Sequence, residues 1–146
     1  MKTNVAVIYG GNSSEHDISI LSGRYTASVI DREKFNVYEV LLKGSNWDVV
    51  EWDDSDKMIV KGKIDKGDFS FVCDKCGEKI KLDVALPVIH GTPGENGILQ
   101  GYFRLLNIPF SCCDVLQAAL TFDKYACNNY LRSFGIREIG RASCRE

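Results

Sequence analysis

The sequence predicts an α/β domain whose mostly parallel sheet is flanked by helices. Continuous apolar runs such as residues 5–9 are typical of strands that are buried on both faces. Segments with apolar residues at helical spacing alternate with these runs, as in chains that build βαβ units. Between them, residues 43–82 form short alternating bursts separated by glycines, which indicates a small antiparallel excursion of hairpins.

The individual elements follow from the same patterns. The predicted strands cover residues 5–9, 35–42, 84–89 and 110–111, and the predicted helices cover residues 15–30, 97–106, 115–120 and 123–134. The first helix is indicated by apolar residues on one face, namely Ile18, Leu21, Tyr25 and Val29. Ser14 followed by Asp17 resembles a capping box at its start. Pro87 places the strand over residues 84–89 near an end or edge of the sheet.

Composition narrows the class of protein. The chain has 146 residues, 45% of them hydrophobic, and a formal net charge of −2, which predicts one globular domain. No basic stripe points to nucleic acid, and no apolar run reaches the roughly 20 residues of a membrane helix. The apolar run at residues 5–9 is too short for a signal peptide, so we expect a cytoplasmic protein with reduced cysteines.

Two glycine-rich loops each follow a buried strand and precede a helix. In an open parallel sheet such loops lie at the carboxyl ends of the strands, where ligands bind. The sequence therefore predicts that residues 10–15 and 90–97 line one crevice. Glu15 falls at the positive end of a helix, where its ionised form is favoured and a substrate ammonium could be received. His90 ends a buried strand at the same edge.

Each of these residues also has a purely structural interpretation. A tight strand-to-helix turn with serine caps is enough to explain most loops like the first one. A single histidine is usually structural, although one at the carboxyl end of a strand beside a glycine-rich loop is a better site candidate. Glu95 is equally a charge at the start of a helix with no further role. Spacing alone leaves both interpretations open.

The two loops together resemble the D-alanine–D-alanine ligases of the ATP-grasp superfamily. That family carries a Gly-Gly-x-Ser-x-Glu segment followed by serine, and later a His-Gly loop with Gly-Glu-Asp-Gly and Gln-Gly, then an Asp-Lys pair. Here residues 10–19 read GGNSSEHDIS, residues 90–101 read HGTPGENGILQG, and Asp123 precedes Lys124. Residues 109–111 and 118–120 match the segment between the last two motifs. The resemblance covers nearly all of residues 1–135.

The resemblance implies a Rossmann-like, pre-ATP-grasp fold and a division of the chain. Residues 1–121 would form the N-terminal substrate domain, with residues 43–82 as a hairpin insertion, and residues 122–137 would begin the ATP-grasp region. Family members run to about twice this length. Residues 138–146 resemble a translated sequencing adapter, so we exclude them from fold reasoning and expect the natural chain to continue and this fragment to be inactive alone.

The resemblance also implies roles for single residues. Glu15, as a catalytic residue, would contact the amino group of the first D-alanine. His90, also catalytic, would lie beside that D-alanine and its acyl phosphate. Lys124 would reach the phosphates of ATP. The remaining substrate-side residues would be the backbone near Ile18, together with Ser19, Gly91 and Glu95.

The implied reaction joins two D-alanines for bacterial peptidoglycan at the expense of ATP. The carboxylate of the first is phosphorylated, and the amine of the second displaces phosphate, with Mg²⁺ bridging the phosphates. The magnesium ligands are expected downstream, so no metal ligand is predicted here, and the whole enzyme is expected to be a homodimer. Asn96 replaces the commoner Asp of the His-Gly loop, and Asn128 stands where many members carry a second Lys.

Other functions stay open. A related ligase that joins D-alanine to D-lactate or D-serine would carry the same motifs in this part. A stand-alone module that binds an amino acid or anion without catalysis is a second alternative. A structural domain with zinc on Cys73 and Cys76 is a third alternative. The Cys-x-x-Cys-Gly segment supplies only one pair of the four zinc ligands, so it favours a hairpin turn with reduced thiols. We expect Trp47 and Trp52 to pack against the domain's own sheet.

Overall fold

The computed structural model describes residues 2–137. The order of strands and helices along the chain is close to the predicted order. The elements are β1 (Thr3–Gly10), α1 (His16–Val29), β2 (Phe35–Lys43), β3 (Asn46–Trp52), β4 (Met58–Asp65), β5 (Ser70–Val72), β6 (Lys79–Lys81), β7 (Val84–Pro87), α2 (Ile98–Leu105), α3 (Val115–Phe122) and α4 (Lys124–Ser133). The tail over residues 138–146, interpreted from sequence as an artefact, lies outside the described residues.

The strands form a seven-stranded sheet in the order β6-β5-β4-β3-β2-β1-β7. Strand β1 lies at its parallel centre, paired with β2 on one side and β7 on the other. From β2 to β6 each strand pairs antiparallel with the next. The predicted α/β class is confirmed, but the sheet is mixed and not mostly parallel, because the predicted hairpins extend it with antiparallel strands. The parallel part is therefore limited to β2, β1 and β7, the strands whose carboxyl ends carry the two glycine-rich loops.

Helix α1 packs on the sheet through small residues. Ser19, Gly23 and Ala27 are its buried residues, spaced four apart. Gly23 lies directly against the ring of Tyr9, because a Cβ atom added there would stand 2.2 Å from Tyr9 Cδ1. The apolar residues that predicted the helix lie on its exposed side: Ile18, Leu21, Tyr25 and Val29. The helix is thus confirmed, and the close approach explains why small residues form the buried side.

The opposite face of the sheet carries the larger core. Leu99 and Phe103 of α2 pack there, with the Phe103 ring edge-on to Phe69 at a centroid distance of 5.4 Å. Trp47 stacks edge-on against Tyr102, with ring centroids 5.0 Å apart. On the α1 side, Trp52 Nε1 donates to the Tyr9 hydroxyl over 2.9 Å. Both tryptophans therefore pack within the domain, as predicted.

Strand β7 is the end strand of the sheet order and finishes at Pro87, in agreement with the position predicted for that proline. The strand predicted at residues 110–111 is a single bridge from Phe110 to Ala85. The N–H of Ala85 donates to Pro109 O over 2.9 Å, and the N–H of Ser111 donates to Ala85 O over 3.2 Å. Among residues 2–137, no helix combines the length and the apolar character needed to cross a bilayer.

Candidate functional site

The two glycine-rich loops meet at the carboxyl ends of β1 and β7. The N–H of Asn12 donates to Thr92 O over 2.9 Å, and the Ser13 hydroxyl donates to His90 O over 2.6 Å. These bonds join segments that are almost 80 positions apart in sequence. The structure thus brings residues 10–15 and 90–97 together, as their places after two neighbouring parallel strands predict.

Glycine is required at two of these contacts. Gly91 has φ +80°, and a Cβ atom there would lie 2.7 Å from Ser13 Cβ. Gly11 has φ +92°, and its Cβ would lie 2.7 Å from Ile89 Cγ2. A side chain at either position would meet both an unfavourable backbone conformation and a steric clash. Glycine at these two positions therefore allows the chain segments to approach each other closely.

Glu15 precedes α1 at the N-cap position and is exposed. Its N–H donates to the Ser13 hydroxyl over 3.2 Å. The predicted capping box of Ser14 and Asp17 is wrong, because no side chain caps this helix. Within the described residues the Glu15 carboxylate has no hydrogen-bond partner, so it lies free at the positive end of α1.

His90 lies beside the first turns of α1. Its Nε2 atom is 3.4 Å from the hydroxyl oxygen of Ser22. Glu15, Ile18 and Ser22 are spaced three and four residues apart, which places them on one side of the helix. The imidazole of His90 is therefore on the same side of α1 as Glu15 and Ile18. Sequence reasoning missed Ser22, although this spacing was the signal that could have found it.

Ser19, predicted to bind substrate, is fully buried. Its hydroxyl accepts from the N–H of Gly10 over 2.9 Å and donates to the carbonyl of Val88 over 2.7 Å. The hydroxyl thus acts as both acceptor and donor, and its two bonds connect α1 to the end of β1 and to the residue that follows β7. The structure gives Ser19 a positioning contact, and a direct role in binding stays a prediction.

The second loop is held by side chains of its own. The Glu95 carboxylate accepts from the N–H of Gly91 over 2.8 Å. Asn96, which departs from the family pattern, donates from Nδ2 to the Thr92 hydroxyl over 3.1 Å. Buried Gln100 donates to Gly94 O over 2.6 Å. The loop beside His90 is thus held by several internal hydrogen bonds.

Lys124 begins α4, whose N-cap Asp123 accepts from the N–H of Ala126 over 3.0 Å. The exposed Lys124 ammonium donates to Thr121 O over 2.8 Å. It borders a cavity of about 350 Å³ that Glu95 and Gln100 also line. The structure therefore brings Lys124 near the His-Gly loop, although α4 follows that loop by almost 30 residues.

The described residues offer a cation for phosphate and no metal centre. Within residues 2–137 no three His, Cys, Asp or Glu side chains are placed to hold one metal ion. Magnesium is usually held by one or two carboxylates together with substrate phosphates and water, so the downstream position of its ligands stays a prediction. Lys124 supplies one ammonium group that suits a phosphate.

The comparison with known proteins decides the family. The family model described as "D-ala D-ala ligase N-terminus" matches residues 4–113. The chain belongs to this family. The ligase N-terminal domain therefore accounts for the fold from β1 through the bridge at Phe110, including the hairpins that extend the sheet.

Relatives and solved structures agree with the family. The chain is 51% identical over 137 residues to the D-alanine–D-alanine ligase of Phocaeicola vulgatus and 47% identical over 137 residues to that of Bacteroides fragilis. Each alignment covers 94% of this chain and 40% of the relative, so the chain spans about two fifths of the length of these curated relatives.

Among solved structures, the D-alanine–D-alanine ligase from Coxiella burnetii superposes with a TM-score of 0.78 at 26% identity, over 95% of this chain and 43% of that chain. The VanG D-Ala:D-Ser ligase from Enterococcus faecalis gives a TM-score of 0.71 at 28% identity, over 93% and 43%.

Proposed function

We propose that this chain is the N-terminal, substrate-side part of an ATP-dependent D-alanine–D-alanine ligase, which makes the dipeptide for bacterial peptidoglycan in the cytoplasm. The observation that supports this most is the meeting of the two loops. Their contact puts Glu15 and His90 on one side of α1. The family match over residues 4–113 includes both loops, so they belong to the matched ligase domain.

Four residues in or next to the loops have a task in the proposed reaction. The Glu15 carboxylate, free at the start of α1, receives the ammonium group of the first D-alanine. The backbone at Ile18 borders the same pocket. His90 lies beside the carboxylate of that D-alanine, with its ring held next to Ser22. Glu95 holds the Gly91 backbone in place, so the loop needs little rearrangement when substrate arrives.

ATP supplies the phosphoryl group that activates the D-alanine carboxylate. Lys124 is the residue of this chain that would bind the transferring phosphates through its ammonium group. We place the magnesium ligands downstream of the described residues, as the family resemblance implies. One solved relative, the Bacillus anthracis ligase, was crystallised with ATP, and it superposes with a TM-score of 0.65 at 27% identity.

A ligase for a different second substrate is the alternative function, and one solved structure among the matches has such an activity in its name. The structural match to a D-Ala:D-Ser ligase is nearly as good as the matches to D-alanine–D-alanine ligases. Glu15 and His90 serve the first D-alanine in both cases. Product analysis with D-alanine, D-serine and D-lactate offered together separates the two functions.

The test uses this chain extended by its natural downstream sequence. We expect D-alanine-dependent release of ADP from the extended protein and none from the 146-residue chain alone. Glu15→Gln is expected to lower kcat/KM by roughly 10- to 100-fold, the size of losing a hydrogen bond to a charged group. Glu33→Gln, which alters another exposed glutamate, is the matched control. Unchanged kinetics in Glu15→Gln would contradict the proposal.

We also propose that the full-length ligase is a homodimer, as the family resemblance implies. The exposed apolar side of α1 supports this, because an apolar surface of that kind favours association in water. Leu21→Glu in the extended protein is expected to shift the sedimentation coefficient from dimer to monomer. Glu33→Gln serves as the control, and an unchanged dimer in Leu21→Glu contradicts this use of α1.

A further inference from the structure

Two cysteines lie in the tight turn that joins β5 to β6. The N–H of Cys73 donates to Glu78 O over 2.9 Å, and the N–H of Gly77 donates to Cys73 O over 2.8 Å. Gly77 adopts φ +70° with open space around it, which allows the chain to reverse. Residues three apart in such a turn have neighbouring Cα atoms, so the Cys73 and Cys76 side chains lie side by side.

The turn also places hydrogen-bond donors around the sulfur atom of Cys73. Cys73 Sγ accepts from the Cys76 thiol and from the N–H groups of Cys76 and Lys75, and together these bonds lower the pKa of the Cys73 thiol. Although the N–H of Glu78 donates to Cys76 Sγ, the bond with Cys73 leaves the pKa of the Cys76 thiol raised. Cys76 is exposed, and Cys73 is half-buried. Of the two thiols, Cys73 is therefore the one that is more easily converted to the nucleophilic thiolate.

The two cysteines alone do not supply all the ligands of a structural zinc site. Structural zinc takes four ligands. Within the part of the chain that the structure describes, no third His, Cys, Asp or Glu joins the two sulfurs as a possible ligand. A disulfide, in contrast, needs only the two thiols already in the turn.

We propose that Cys73 and Cys76 form a reversible disulfide by exchange with low-molecular-weight disulfides such as oxidised glutathione. The Cys73 thiolate attacks one sulfur of the disulfide, whose S–S bond breaks and releases one thiolate. Cys76 then gives its proton to water and attacks the Cys73 sulfur, which releases the second thiolate. The two cysteines lose two electrons, and the glutathione disulfide gains them as two thiols.

The site is separate from the proposed substrate crevice. The turn lies beyond β5 and β6 at one end of the strand order, whereas the crevice lies at β1 and β7 at the other. Oxidation is therefore expected to leave the ligase residues in place and to lock the β5–β6 hairpin. The pair would respond to the thiol–disulfide balance whatever reaction the crevice performs.

The experiment incubates the purified 146-residue chain in glutathione buffers of increasing oxidised fraction, followed by alkylation and peptide mass spectrometry. We expect Cys73 and Cys76 to become oxidised together and to be recovered by dithiothreitol. Cys76→Ser is expected to stop at the glutathione adduct on Cys73. In the reduced protein, Cys73 should react with iodoacetamide roughly tenfold faster than Cys112.

The adjacent pair Cys112 and Cys113 is the matched control. Burial raises the pKa of the Cys112 thiol, whose sulfur also contacts Gln100 Nε2 at 3.4 Å. Oxidation of both pairs at the same glutathione ratio would overturn the proposal. Stoichiometric zinc that is lost in Cys76→Ser, with both thiols staying reduced in oxidised glutathione, would overturn it in favour of a metal site. Circular dichroism of each variant verifies that the fold is retained.

Discussion

The Ser13 hydroxyl donates a 2.6 Å hydrogen bond to the main-chain carbonyl of His90, across 77 positions of sequence. The same hydroxyl oxygen accepts the N–H of Glu15 at 3.2 Å. One side chain therefore links both residues to which the proposed function assigns catalysis.

Ser13→Ala is expected to loosen this link. Loss of a hydrogen bond to a half-buried carbonyl lowers the free energy of unfolding by about 1 kcal/mol. In the extended ligase we expect a several-fold higher KM for D-alanine, since the two loops would lose their common contact. Urea unfolding and steady-state kinetics measure the two effects. Ser14→Ala, which alters an exposed neighbour, is the control, and equal behaviour of the two variants would contradict the role given to Ser13.

Ser19→Ala tests whether this residue positions the fold. The change leaves the N–H of Gly10 and the carbonyl of Val88 without their partner in a buried site. Unsatisfied buried groups of this kind cost about 1–3 kcal/mol each, so we expect the free energy of unfolding to fall by roughly 2–6 kcal/mol. Ser28→Ala, on the exposed side of α1, is expected to change it by less than about 0.5 kcal/mol. A raised KM in Ser19→Ala at unchanged stability would instead favour direct substrate binding.

Gly23→Ala separates helix propensity from packing. Alanine favours a helix over glycine by about 1 kcal/mol, but the new Cβ would overlap the Tyr9 ring. Overpacking in a core costs about 1–3 kcal/mol or more, so we expect a net loss of stability in urea unfolding. Gly101→Ala in α2 meets no atom within 4 Å and is expected to stabilise the protein. Stabilisation by both changes would show that α1 shifts away from Tyr9 without penalty.

The packing of α1 against the sheet is a feature that the sequence does not predict. Strand and helix order follows from apolar runs and turn residues, and each predicted element appears within a few residues of its expected place except the strand at residues 110–111, which is a single bridge. The buried side of α1 was not predictable from apolar spacing, because Gly23 and Ala27 carry little hydrophobic signal and the larger residues point outward. The site was predictable as two loops at one sheet edge. The Ser13 contact was not, because it depends on the close approach of the loop before α1 to the loop that follows β7. Ser22 could have been found from its helical spacing to Glu15 and Ile18, although its contact with His90 could not.

Glu39 provides a test with a defined pH dependence. Burial raises the pKa of its carboxyl, although the Tyr9 hydroxyl bond at 2.8 Å and the Arg24 charge oppose this shift. A carboxyl whose pKa is higher in the folded protein contributes most stability below its ordinary pKa of about 4.3, and the contribution is lost as pH rises through the raised pKa. We expect Glu39→Gln to gain stability relative to the unsubstituted protein between about pH 4 and 7. Urea unfolding across this range measures the difference.

Asp114 supplies the control of opposite sign. The Arg104 side chain lowers the pKa of the Asp114 carboxyl, so its contribution is present above the ordinary pKa of about 3.9. That contribution is lost as pH falls through the lowered pKa. The loss of stability in Asp114→Asn relative to the unsubstituted protein is therefore expected to become smaller at acid pH. The same trend with pH in Asp114→Asn and Glu39→Gln would contradict the environment assigned to Glu39.

Both ends of the described sheet are closed to the addition of further strands. Strand β6 has only three residues, and Lys79 and Lys81 put positive charge on it. At the other end, Pro87 has no N–H to offer, and Ala85 already bonds to residues 109–111. Charged, short or proline-bearing edges prevent the strand-to-strand aggregation to which open sheets are prone. The domain can therefore keep a long, strongly hydrogen-bonded sheet without seeding β-type aggregates, and contacts between copies are left to its helical surfaces.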